Sequence, residues 1–195
     1  MTTVCGWIWK WITFFCIKFI YKPFSLLIRK LFEKSYTSLP EDIPWTTTKL
    51  LKFFQTCRWK QDPLGGAIDH ISKPEKFYQT KTGDCDEFAA FACRVLPWKS
   101  FILSVTWYEK KGSFLRRFKG HNVCLYFYKG RWWHIGNWGK RGPFSRLFEA
   151  VYDIVPQDAA PGSFGTRDPS TLTVIAAGRL TKKGQRKYGR NRRGH

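Results

Sequence analysis

Cys85 and His121 are the residues of this 195-residue chain whose types and settings suit nucleophilic chemistry. Apolar residues at helical spacing (Phe88, Ala89, Phe91, Ala92, Val95, Leu96) follow Gly83-Asp84-Cys85-Asp86-Glu87, so Cys85 is expected in the first turn of a buried helix that ends at Pro97. Asp84 suits the N-cap, and Glu87 three residues on completes a capping-box pattern. A thiol there feels unpaired N–H groups and the positive end of the helix dipole, which can lower its pKa from about 8.5 to between about 3.5 and 7.5. Asp84 and Asp86 oppose this by like charge, so a positive imidazole would have to supply much of the activation. His121 opens a strand after Gly120, and a residue at a strand end can project over the N-terminus of a helix packed beneath the sheet. The chain then returns to Gly136-Asn137-Trp138-Gly139. Asn137 would accept the His121 ring N–H and fix the tautomer that presents the other nitrogen to sulfur. Such a constellation performs acyl transfer through a thioester.

The elements that must hold these residues are legible as patterns. Trp45 to Arg58 reads as a helix with a stripe of Leu50, Leu51, Phe53, Phe54 and Cys57. Residues 62–82 carry Pro, Gly and Asp punctuation and are expected to form a long ordered loop. Strands are predicted over Phe101 to Tyr108, Asn122 to Tyr128 and Arg131 to Ile135, with Lys129-Gly130 as the turn between the last two. A short helix is expected from Phe144 to Tyr152, followed by irregular chain. A helix followed by an antiparallel sheet defines an α+β domain, not a doubly wound one.

The motif Gly83-Asp84-Cys85-Asp86-Glu87-Phe88-Ala89 resembles the cysteine motif of transglutaminase-like cysteine proteins, especially bacterial and phage members. Gly120-His121-Asn122-Val123 is similar to their histidine strand, and Ile68-Asp69-His70-Ile71-Ser72-Lys73-Pro74-Glu75 to the loop before their cysteine. The resemblance spans roughly residues 61–139. It implies a papain-like or transglutaminase-like core with the cysteine-bearing helix packed on an antiparallel sheet. It further implies hydrolysis of a peptide or isopeptide bond in a protein or peptide substrate. No cofactor is expected, and no metal either, because no matching set of His or Cys ligands accompanies Asp84 and Asp86. Where the family commonly has Asp, this chain has Gly136. Papain-like enzymes place an Asn shortly before Trp-Gly, so the resemblance passes the third role to Asn137. Gln79, six positions before Cys85, matches the spacing of the papain-like oxyanion-hole glutamine, and the Cys85 N–H is a second donor. The competing reading is a fold of this type without catalysis, serving as a membrane- or nucleic-acid-binding interaction protein.

Other residues read as structural. Cys93 and Cys124 lie in apolar settings, His70 is in a loop and His195 at the end of the chain, while His134 is an alternative imidazole partner. Six cysteines without a CxxC pair or dense spacing indicate neither a zinc ribbon nor a disulfide scaffold and point to reduced thiols. The net charge of +20 implies attraction to phosphates of nucleic acid or anionic lipid. Four segments are expected. Residues 1–38 form an apolar amphipathic helix with Lys18, Lys22, Ser25 and Arg29 on one face and tryptophans elsewhere, suited to lying in a membrane interface, with packing against a partner protein or its own domain, or a membrane span, as the alternatives. Residues 40–158 form the cysteine domain, 159–178 an irregular extension, and 179–195 a basic disordered tail that could bind nucleic acid or anionic lipid. The expected location is the cytoplasmic face of a membrane, in a bacterial or phage-infected cell.

Overall fold

The computed structural model describes residues 39–61, 71–111 and 115–189. The amphipathic helix expected over 1–38 lies outside them, as do His70 and His195. Among the described residues, no helix is long and apolar enough to cross a membrane.

The first helix among the described residues is α1 (Thr47–Gln55), whose first turn is capped by the Thr46 hydroxyl accepting from the Lys49 N–H at 3.2 Å. The helix is shorter than Trp45 to Arg58, because Arg58 and Trp59 leave it to form β1 (Arg58–Trp59). The expected loop over 62–82 is not wholly irregular. It contains α2 (Pro74–Thr80), with Pro74 in the first turn where its missing N–H costs nothing, and β2 (Thr82–Gly83), which pairs in parallel with β1. Then come α3 (Cys85–Val95), β3 (Ser100–Lys111), β4 (Leu115–Tyr128), β5 (Arg131–Gly136) and β6 (Gly139–Phe144). Lys129 and Gly130 both take positive φ, 50° and 72°, the geometry that a two-residue hairpin between β4 and β5 requires.

After β6, α4 (Leu147–Ile154) begins three residues later than expected, because Phe144 is still strand. The stretch 159–178 is not irregular. It supplies β7 (Ala160–Arg167) and β8 (Val174–Arg179), which extend one antiparallel sheet in the order β6-β5-β4-β3-β7-β8. Nor is the basic segment wholly disordered, since α5 (Lys182–Tyr188) folds back onto α4. Leu180 is buried, Lys182 Nζ and Gln185 Nε2 donate to the carbonyls of Ala159 and Pro156, and Tyr188 stacks on Tyr152. A few buried anchors outweigh a basic composition that suggested a solvated arm.

Helices cover both faces of the sheet, and strand alternation sorts its side chains between them. One face meets α1, α2 and α3 through Ile102, Cys124, Tyr126 and Ile135, together with Trp45, Leu50, Phe54, Phe77, Phe88 and Phe91. Phe88 lies 4.8 Å, centroid to centroid, from both Phe54 and Phe77, and each buried ring contributes about 1.5–3 kcal/mol. The other face meets α4 and the chain entering α5 through Leu103, Val105, Val123 and Leu125. Over residues 121–126 of β4, even-numbered residues therefore face α3 and odd-numbered ones face α4.

Candidate active site

The Gly83-Asp84-Cys85-Asp86-Glu87 segment is largely explained by the way α3 begins. Asp84 Oδ1 accepts from the Asp86 N–H at 2.9 Å, and Glu87 Oε2 accepts from the Asp84 N–H at 2.9 Å, the reciprocal pattern that satisfies the helix terminus. Glu87 Oε1 also accepts from the Ser72 N–H at 2.9 Å, tying the segment before α2 to this helix. A Cβ on Gly83 would stand 2.7 Å from the Glu87 Cβ, so a glycine is needed where the Glu87 side chain passes. Cys85 is not required by any of these bonds.

The Cys85 sulfur faces Asn122 of β4. Asn122 Nδ2 lies 3.8 Å from Sγ, the backbone N–H of Asn122 also acts on it as a donor, and Asp86 Oδ1 is 3.7 Å away. Asn122 Nδ2 in addition donates to Asp86 Oδ1, so the amide holds the buried carboxylate and touches the thiol. Burial, then the charges of Asp86 and Asp84, push the Cys85 thiol well above its ordinary value, and the Asn122 N–H offsets only part of this. The resting group is a thiol, because desolvation and the two carboxylates that the sequence set against the dipole outweigh it.

His121 does not project over α3. It pairs in register with Val105 and belongs to the odd-numbered face of β4, toward α4. It is buried, and Trp138 stacks flat on its ring at 3.5 Å between centroids and 11° between planes. Its Nε2 has no hydrogen-bond partner among the described residues, and no hydrogen bond joins it to Cys85. Burial, helped by His134 and Arg141, lowers its pKa to about 3, leaving a neutral imidazole. The two residues are nonetheless near along the backbone, since the N–H that meets the sulfur belongs to the peptide bond joining His121 to Asn122.

Asn137 lies in the turn between β5 and β6, and its Oδ1 is buried without a hydrogen-bond partner, so it does not accept the His121 N–H. Its neighbour Trp138 meets the imidazole instead. Gln79 is exposed near the end of α2. His134 faces α4, where its Nε2 lies 3.1 Å from Asp153 Oδ2 and Arg141 Nη1 is 3.8 Å from the same oxygen. This buried pair ties β5 to α4, and His134 is no partner for Cys85. Asp84, Cys85 and Asp86 bring donor atoms within 4.8 Å of one another, the one such group among the described residues. Asp84 is engaged as the N-cap and Asp86 with Asn122, so both serve the helix terminus.

Asn122 and Trp138 are the site residues that motif reading passed over. Their signals were present, because Asn122 shares the parity of Cys124 and Tyr126, and the hairpin register returns Trp138 to the level of His121.

These features define an α+β domain with a thiol at the helix–sheet junction. No protein-family profile and no curated protein sequence matches the chain. Among solved structures it is similar to calcium-bound LapG of Legionella pneumophila, with a TM-score of 0.40 and 18% identity over 73% of this chain and 76% of that one. At that score and identity the likeness says nothing about catalytic residues.

Proposed function

We propose that the chain is a cysteine-dependent acyl-transfer enzyme that hydrolyses a peptide or isopeptide amide bond through an acyl-enzyme on Cys85. The observation that carries this reading is the Cys85 sulfur in the first turn of α3, against the Asn122 N–H and amide. The Cys85 N–H and Asn122 Nδ2 are donors suited to an oxyanion forming beside the sulfur. His121 is the base. Its Nε2 is unpartnered, but the ring lies on the α4 face of the sheet, so the role requires β4 to rearrange and carry the ring to the sulfur's face. Leaving the burial that lowers its pKa to about 3 would also restore its basicity. Asn137, with Oδ1 unpartnered, would then receive the other ring N–H.

In the first step the Cys85 S–H proton passes to His121 as sulfur bonds to the amide carbon, whose oxygen takes the electron pair. The C–N bond then breaks as His121 returns the proton to the leaving amine. Water attacks the thioester, giving up a proton to His121. The tetrahedral oxyanion then collapses, the C–S bond breaks, and His121 returns the proton to the departing sulfur to restore the thiol and the neutral imidazole. The apolar segment 1–38 would hold the enzyme on the cytoplasmic face of a membrane, with the basic chain against anionic lipid.

A non-catalytic role as an interaction protein is the second reading. It is favoured by the raised thiol and by the missing hydrogen bond between Cys85 and His121. Iodoacetamide labelling, resolved by peptide mass spectrometry, separates the two. Catalysis predicts that Cys85 is modified ahead of the other five cysteines at neutral pH, the likewise half-buried Cys57 included, and that His121→Ala slows Cys85 alone. Labelling of Cys85 no faster than that of Cys57 would sink the enzymatic reading.

A further inference from the structure

A concavity lies on α1 and the end of α2, lined by residues other than those around Cys85. Its volume is about 420 Å³, within the range of small-molecule sites. Lys49, Lys52 and Phe53 lie along one side of α1, flanked by Trp45 before it and Thr56 at its C-cap, and Tyr78 of α2 and Lys81 at its C-cap complete the lining. Lys81 ends α2 in the left-handed conformation, φ 49°.

The charges of this cavity are unbalanced. Asp42 is its only carboxylate, and it is occupied by the Lys49 ammonium and by the Trp45 indole N–H at 3.0 Å. Lys49 also sits over the Trp45 ring at 4.6 Å. Lys52 and Lys81 make no ion pair among the described residues. Two uncompensated ammonium groups therefore flank an aromatic wall of Phe53 and Tyr78, which pack 5.6 Å apart. Two point cations suit a phosphate dianion, and the rings suit an apolar body beside it.

We infer that this cavity binds a phosphate monoester carried on an apolar body, held by Lys52 and Lys81 and packed on Phe53 and Tyr78. Two sources share that chemistry, a soluble nucleoside monophosphate and a phosphatidic acid headgroup. The test compares the full chain with Lys52→Gln/Lys81→Asn, asparagine being chosen because it tolerates the left-handed position. A charge-matched control, Lys60→Gln/Lys183→Gln, removes two exposed lysines elsewhere, and thermal melting verifies the fold of all three proteins.

AMP binding is read by calorimetry beside inorganic phosphate. Vesicle binding is read by flotation with phosphatidylcholine alone and with added phosphatidic acid. AMP affinity about tenfold weaker in the cavity variant than in the control, with AMP preferred to inorganic phosphate, supports a soluble ligand. Phosphatidic acid binding that weakens as selectively, with AMP inert, supports a headgroup. Equal losses in the two double variants, or no binding of either probe by the unmodified chain, would overturn the inference. None of these outcomes depends on whether Cys85 is catalytic.

Discussion

Glu87 is buried with a carboxylate that accepts from two backbone N–H groups, and the room it needs is left by the missing Cβ of Gly83. Gly83→Ala forces that side chain or the backbone to shift and is expected to cost about 1–3 kcal/mol, measured as a lower urea midpoint at unchanged slope. Unchanged stability would mean that the terminus of α3 repacks freely. His121 makes a prediction in pH. Its folded pKa of about 3 lies below the ordinary 6.5, so the unfolded chain binds the proton first as pH falls. Its contribution is fully present above about pH 6.5 and is lost progressively toward pH 3. His121→Gln should flatten the dependence of melting temperature on pH in that window, and an unaltered slope would place the titration elsewhere. The cysteine motif was legible because much of it is helix-terminus chemistry. The same fact weakens it as a catalytic signature, since Gly83, Asp84 and Glu87 have structural reasons to be what they are.

Among the elements, those with strong local periodicity were readable. The helix after Cys85, the Lys129-Gly130 hairpin and the core of the β3–β4 pair follow from residues that meet neighbours close in sequence. What sequence missed was β6, β7 and β8, with compositions Gly-Lys-Arg-Gly-Pro-Phe, Ala-Pro-Gly-Ser-Phe-Gly-Thr-Arg and Val-Ile-Ala-Ala-Gly-Arg. Glycine and proline in the first two read as turns, yet β7 pairs with β3 from Ile102↔Arg167 to Tyr108↔Ala160. Its strand character comes from that partner and not from its own residues. The same holds for α5, whose basic sequence gives little reason to fold until Tyr152 and Leu180 offer it a seat. The Tyr152 hydroxyl accepts from the Thr181 N–H at 3.1 Å, and a Cβ on Gly184 would strike that hydroxyl. Ending the chain after Leu180 should therefore lower stability by about 2 kcal/mol or more. A melting temperature unchanged by the truncation would show that α5 is an ornament.

Among the described residues, the sheet is shared by two hydrophobic cores on its opposite faces, and β4 supplies both. On its odd positions His121, Val123 and Leu125 serve the layer under α4. On its even positions Cys124 and Tyr126 serve the layer under α3, and Asn122 meets the thiol. A saturation mutagenesis profile along β4 should therefore oscillate with a period of two residues. Polar substitutions at Val123 and Leu125 should deplete folded protein, whereas conservative changes at Asn122 should leave it abundant and alter Cys85 reactivity. A profile without that alternation would count against the assignment of faces. Because neighbours in sequence sit on opposite faces, inserting one residue before position 121 is no small edit. It exchanges the tenants of the two faces, trading the amide beside the sulfur for the imidazole of His121 unless the register slips to compensate. The strand acts as a reading frame: the thiol keeps its neighbour only while the two cores keep theirs.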